Sequence, residues 1–260
     1  MRGWSPSGII HGVTSPYAQD GFRVGFDWGP SGAAAVPGGI IAIVDVLSFT
    51  TSVTVAADCG IDVYPYRWRD ESAADYAKQY DAVLAVGRSE AGPGDVSLSP
   101  VSIRQAQGIE RLVLPSPNGS AICQQLSDSG ATVLAVSLRN RLAAANWVNA
   151  RLAGDPDLKV VAIAAGERWN DGSLRPAVED LWGAGGFLAA LDVDSFSPEA
   201  RAAAAAYKDA ADELPNLLYD CAGGRELTQY GFPQDVAIAA EMDSSRAVPV
   251  LRDGMLTAST

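Results

Sequence analysis

Apolar residues recur along this chain in short unbroken runs. Ile40-Ile41-Ala42-Ile43-Val44, set after a Pro37-Gly38-Gly39 turn, is the clearest. A mostly β-branched run of five predicts a strand buried on both faces. Similar runs return at Leu112–Leu114, Thr132–Val136 and Lys159–Ala165, each followed by a small polar turn and a segment of helical character. Strands alternating with helices predict an α/β fold. The expected architecture is a three-layer α/β/α sandwich on a largely parallel or mixed sheet. Ligands in such folds bind at the carboxyl ends of the strands.

The segments between these runs complete the expectation. Val46, Phe49, Val53 and Ala56 are spaced three or four apart, which predicts a helix over Val46–Cys59 stopped at Gly60. Strands are expected over Ile61–Tyr66 and Ala82–Val86, with a helix at Glu71–Gln79 between them and a loop over 87–100. Further helices are expected over Ala121–Leu126, from Arg141 to about Leu152, and from Pro176 onward. An Ala-rich helix follows at 198–213, then short helices around Gly223-Gly224, a helix at Asp235–Met242, and a terminal hairpin over Val248–Leu256 turning at Asp253-Gly254. Phe22–Trp28 reads as an edge strand, 29–39 as a loop and 1–21 as irregular. We therefore divide the chain into an N-terminal extension with its edge strand (1–39) and one α/β domain (40–260).

Charge narrows the function classes. The net charge is -12 and Lys/Arg residues form no run, so nucleic acid and anionic membranes are poor partners. An acidic protein that binds an anion needs a cation or a nest of backbone N–H groups. No apolar run is long enough for a membrane span, and the N-terminus lacks a continuous apolar core. A cytoplasmic protein is the expectation. Cys59, Cys123 and Cys221 lack C-x-x-C spacing and are expected as buried thiols in a reducing compartment. His11 is the single histidine, which disfavours Ser-His-Asp triads and His-ligated metals.

Candidate chemistry gathers at the strand ends. Asp45 closes the first run and is followed by Ser48, Thr50, Thr51 and Ser52. It either caps the next helix or faces a ligand, and the recurrence of the layout favours the ligand. Pro115-Ser116-Pro117-Asn118-Gly119-Ser120 opens a helix whose free N–H groups suit an anion. Arg139-Asn140-Arg141 opens another, with two cations fit for phosphate or carboxylate. Glu179 and Asp180 lie in the first turn of a third helix; adjacent helical residues point about 100° apart, so one can reach a site while the other supports it.

Together these segments resemble the 2-phosphosulfolactate phosphatase family, magnesium-dependent α/β hydrolases. The resemblance is carried by Asp45-Val46-Leu47 with Thr50-Thr51, Asp95 with Ser99-Pro100, Asn118-Gly119-Ser120, Asn140, Gly166, Glu179-Asp180 with Ala184-Gly185, Gly231-Phe232, Asp235-Val236 and Val248-Pro249. It runs in order from about residue 40 to 250. The chain departs from the family at Ser48, where an arginine is usual, and at Leu98, where Asn is usual. The family's Gly-Glu-Arg turn appears here as Gly87-Arg88-Ser89-Glu90.

The resemblance implies a phosphoric monoester hydrolase acting on a small anionic phosphate ester, with a place in coenzyme M biosynthesis. The residue inventory leads to similar chemistry, because phosphoryl transfer needs charge neutralisation and an oriented nucleophile. Without a usable histidine, carboxylates holding Mg²⁺ supply both. Asp45, Glu179 and Asp180 are the expected metal ligands and catalytic acids. One of them, or a water held by the metal, makes the attack. Thr50, Thr51, Ser99, Asn118, Gly119, Ser120, Arg139, Asn140 and Arg141 are the expected phosphate and substrate contacts. The departures at 48 and 98 predict drift in substrate preference. The rival reading is a non-catalytic anion-binding protein on the same scaffold. A homodimer is expected only from the prevalence of two-fold assemblies.

Overall fold

A computed structural model describes residues 15–35, 39–67, 71–92 and 94–259. The N-terminal stretch 1–14 with His11, and Pro37-Gly38, lie outside the described residues. Strand β1 (Val24–Trp28) leads through helix α1 (Gly29–Ala35) to β2 (Ile40–Val44) and α2 (Phe49–Asp58). Next come β3 (Asp62–Tyr66), α3 (Glu71–Gln79), β4 (Val83–Leu84) and α4 (Pro100–Gln105). Then follow β5 (Arg111–Pro115), α5 (Gly119–Leu126), β6 (Thr132–Val136), α6 (Arg141–Gly154) and β7 (Val160–Ala164). A small hairpin of β8 (Glu167–Arg168) and β9 (Leu174–Arg175) precedes α7 (Val178–Leu188). Helices α8 (Pro198–Ala210), α9 (Leu214–Asp220), α10 (Ala222–Gln229) and α11 (Pro233–Ala239) lead to the closing hairpin, β10 (Val248–Arg252) and β11 (Met255–Ser259).

Nine strands form one mixed sheet in the order β1-β7-β2-β6-β10-β11-β3-β5-β4. Two parallel blocks, β1-β7-β2-β6 and β3-β5-β4, are joined by the antiparallel β10–β11 hairpin. Along β2 the side chains sort by parity, as strand geometry requires. Ile40, Ala42 and Val44 pack on one face with α6, α7 and α8, while Ile41 and Ile43 pack on the other with α2 and α5. Helices therefore cover both faces, and the fold is a three-layer α/β/α sandwich.

The hairpin joins its neighbours loosely, through Val250 opposite Leu134 on one side and Leu256 opposite Val63 on the other. In a flat sheet, five strand spacings would put β2 and β5 about 24 Å apart. Instead, the turn after β5 touches the turn after β2, so the sheet bends at the hairpin. That bend builds the site.

Helix α2 forms despite its Thr and Val content because each buried hydroxyl has a partner. Thr50 and Thr51 donate to the carbonyls of Asp45 and Val46, both at 2.8 Å, and Thr54 donates to the Thr51 carbonyl at 2.7 Å. Three differences from the sequence reading stand out. The 29–39 loop holds α1, whose Ala33–Ala35 are strong helix formers and which packs on β1, β7 and α5. Residues 100–105 form α4 behind Pro100, a residue suited to a helix start. Cys59 is exposed, while Cys123 and Cys221 are buried. Among the described residues, no helix is long and apolar enough to cross a membrane.

Candidate active site

Asp45 follows the last residue of β2, where α2 and α5 both begin. The Gly119 N–H donates to its Oδ2 at 2.9 Å and the Phe49 N–H to its Oδ1 at 3.1 Å. Two helix starts thus aim free N–H groups at one carboxylate. Burial outweighs them. The Asp45 carboxyl is pushed up to about 6, first by desolvation, against the two N–H contacts, and further by Glu179. Residue 119 must be glycine for this approach: a Cβ there would collide with the Phe49 ring and stand 2.8 Å from Asp45 Oδ2.

Asp180 and Glu179 reach the same end of the sheet from the first turn of α7. The Val46 N–H donates to Asp180 Oδ1 at 2.7 Å and the Gly166 N–H to Oδ2 at 2.8 Å, so this carboxylate ties the end of β2 to the end of β7. Burial, then the charges of Asp45 and Glu179, hold its carboxyl well above the usual range. Glu179 is equally buried, and its Oε2 has no hydrogen-bond partner. Gly223 packs so close to Glu179 Oε1 that any Cβ there would clash. Cys221 lies beside the same carboxylate, its thiol pushed up to about 12 by burial and then by Glu179.

Glu167, just past β7, is the fourth acid. Asn118 Nδ2 donates to its Oε2 at 2.9 Å. Burial, then Asp45, raises its carboxyl to about 7. Asp45, Asn118 and Glu167 line a cleft of about 780 Å³ together with Ser48 and Leu98. Arg67, Arg88 and Arg168 line the same cleft. Acids and arginines thus share one concavity, the arrangement expected for an anion bound through a cation at one end and through guanidinium groups at the other.

The structure brings together Asp45, Glu179, Asp180, Asn118 and Gly119 from the expected set. It sends the others elsewhere. The Thr50 and Thr51 hydroxyls lock the turn after β2, and the Ser120 hydroxyl donates to the Leu114 carbonyl at 2.8 Å. None of the three lines the cleft. Ser99 donates to Asp235, which in turn holds Arg88, so it acts one residue removed. Asn140 closes its own turn, accepting from the Ser137 N–H and donating to the Ala135 and Ala247 carbonyls. Arg139 pairs with Asp58 and Glu241, and Arg141 with Asp243. These corrections share a cause: the chain before β10 covers the end of β6 and engages its polar groups.

Sequence reasoning passed over Glu167 as a site residue, although the rule that selected Asp45, an acid just past a buried strand, also finds Gly166-Glu167. It set Arg88 only among several arginines able to replace the family's cation. Nothing local marks Arg67 or Gly223, which arrive through tertiary packing.

The donor set fits a hydrated Mg²⁺. It offers oxygen only, it repels itself, and it includes a buried carboxylate oxygen with no partner. Among the described residues, no three His, Cys, Asp or Glu side chains are grouped closely enough to chelate an ion by themselves. An ion here would therefore keep several waters, as Mg²⁺ commonly does.

Comparison with known proteins agrees with this geometry. The model of the family described as 2-phosphosulpholactate phosphatase matches residues 31–254. The chain is also 31% identical, over 222 residues, to a protein of Thermus thermophilus named probable 2-phosphosulfolactate phosphatase. That match covers 82% of this chain and 88% of the relative. On the strength of a match that includes the cleft and all four acids, this chain belongs to the 2-phosphosulpholactate phosphatase family.

Proposed function

We propose that the chain is a Mg²⁺-dependent phosphatase that hydrolyses the phosphate monoester of a small hydroxy acid. The observation that carries this reading is the buried, unpartnered Glu179 Oε2 beside Asp45, at the foot of a cleft whose wall carries arginines. Family membership supports it, and the name of the Thermus thermophilus relative suggests a sulfonated substrate. Overall, water adds to phosphorus, the ester P–O bond breaks, and an alcohol and inorganic phosphate leave.

Asp45 and Glu179 would hold the metal, with Asp180 bracing them from below. When bound, Mg²⁺ would neutralise charge on the transferring phosphoryl group and help orient the nucleophile. The chain's own groups prepare that event. Asp45 is fixed by two backbone N–H groups, so its orientation needs no rearrangement. Glu167, steadied by Asn118 and raised to about 7, holds or releases a proton near neutrality beside the reacting group. Leu47 and Leu98 line the cleft and limit the water in it.

Phosphate release from small phosphorylated hydroxy acids, assayed with Mg²⁺ and with EDTA, tests the reading. Release with Mg²⁺, loss on chelation and recovery on adding the metal back are expected. Full activity after exhaustive chelation would remove the metal from the mechanism. Failure to release phosphate from any such ester would defeat the phosphatase reading.

A further inference from the structure

Arg88 comes from the long loop between β4 and α4 and ends beside the Asp45 turn. Its Nη2 donates to Ser48 Oγ at 2.7 Å and its Nε to Asp235 Oδ2 at 2.9 Å. Asp235 is 1% exposed and also accepts from Ser99, and the Phe232 ring lies 5.9 Å from the guanidinium. Three elements therefore fix this side chain. Of the five N–H hydrogens on a guanidinium, these bonds use two, and Arg88 lines the cleft. An arginine needed only to neutralise Asp235 has no reason to reach past it to Ser48.

Other cations are worse placed for the same task. Arg139 and Arg141 are engaged with Asp58, Glu241 and Asp243. Arg168 lies exposed in the β8–β9 hairpin and donates to the Gly172 carbonyl at 3.1 Å. A substrate with two anionic groups has to separate them, since the acids at the foot of the cleft accept an anion only through a cation. The second group then falls to a guanidinium held ready on the wall.

We propose that Arg88, braced by Asp235 and Ser48, binds the second anionic group of the substrate, a sulfonate or carboxylate, and so determines substrate selection. The proposal rests on the phosphatase reading for its kinetic test only. Arg88→Lys keeps the charge pair with Asp235 and removes the fork; Arg88→Gln removes the charge. Both are compared with the unaltered chain, after their thermal unfolding is checked, on three phosphate esters: one sulfonated, one carboxylated and one with neither group. The ratio of kcat/KM for an anion-bearing ester to that for the neutral ester should fall about tenfold to a hundredfold, mainly through KM. A larger fall for one anion identifies the group that Arg88 holds. An unchanged ratio in both variants would overturn the proposal, because a purely structural arginine lowers all three rates alike. Calorimetric titration with sulfolactate reads the same contact without turnover. Binding weakened at least tenfold in Arg88→Gln supports the proposal even if no ester is hydrolysed; equal binding, or none to either protein, overturns it while leaving hydrolysis a separate question. As a second variant, Arg88→Gln combined with Ser48→Arg should regain part of the ratio, because residue 48 lies within hydrogen-bond distance of the Arg88 guanidinium. No recovery, together with an unchanged ratio in Arg88→Gln, counts against it.

Discussion

The turn after β5 and the turn after β6 look alike in sequence, yet they do opposite things. Both follow a buried strand, both carry an Asn before a helix, and both offer free N–H groups. After β5, Gly119 gives its N–H to Asp45, and Asn118 reaches Glu167 across the cleft. After β6, Asn140 closes on Ser137, Ala135 and Ala247, and Arg139 and Arg141 pair with acids. The difference lies in what covers each turn. Residues 241–247 run over the β6 turn on their way to β10, with the Asp243 and Ser245 N–H groups donating to the Leu138 and Arg139 carbonyls. The β5 turn instead faces Asp45. A strand-turn-helix unit is thus only a potential site, and the neighbouring segment decides whether it binds a ligand or the protein itself.

The sharpest way to break this comparison is Asp45→Asn, which keeps the shape and removes the charge. We expect kcat/KM to fall by about a hundredfold or more with the fold retained. Asn140→Ala, on the other turn, should lower the Tm while kcat/KM of the folded protein holds. If Asn140→Ala cost as much activity as Asp45→Asn, the two turns would not differ as described.

Gly119→Ala should come next. Its Cβ would collide with the Phe49 ring and crowd Asp45, so the N–H contact to the carboxylate lengthens. The expected costs are about 1–3 kcal/mol in stability and at least tenfold in kcat/KM. Urea unfolding and steady-state kinetics on the same preparation would check both. Normal activity would show that Asp45 does not depend on this turn.

Arg139→Ala should show the structural character of the β6 turn. Arg139 is buried, but its partners Asp58 and Glu241 are about one-third exposed, so solvent screens the loss. We expect about 1–2 kcal/mol and a Tm drop of roughly 2–8 °C by thermal melting. A drop in activity without a drop in Tm would return Arg139 to the substrate site.

The smallest effect is one of sign. Folded Asp45 titrates at about 6 against an ordinary 3.8, and Glu167 at about 7 against 4.5. The folded state therefore binds protons more tightly than the unfolded state over this range. Without divalent cation, the contribution of these acids to stability should fall as pH rises from about 4 to about 7. Glu241, held below its ordinary 4.5 by Arg104 and then by Arg139, works the other way: its contribution is present above that value and is lost on acidification. Urea unfolding in EDTA at pH 5 and pH 7.5 would read the first trend, and added Mg²⁺ should restore more stability at the higher pH. Equal gains from Mg²⁺ at both values would argue against a shared carboxylate cluster.

The strands were legible because each is a local apolar run, and Thr132–Val136 and Glu71–Gln79 appear with the boundaries read from sequence. Asp45 was legible for the same local reason, as a charge at the end of a run with no packing use for one. The β10–β11 hairpin was legible as a hairpin, because the Asp253-Gly254 turn is set by two residues with positive φ. Its insertion between β6 and β3 was not, since strand pairing over such distances depends on edges offered by the rest of the fold. That insertion bends the sheet, brings Gly119 to Asp45 and covers the β6 turn. Composition and local pattern thus determined which elements form and which acid is out of place. Only the tertiary structure decided which turns share a cleft, because hydrogen bonds and ion pairs between segments far apart in sequence depend on contacts that no local window contains.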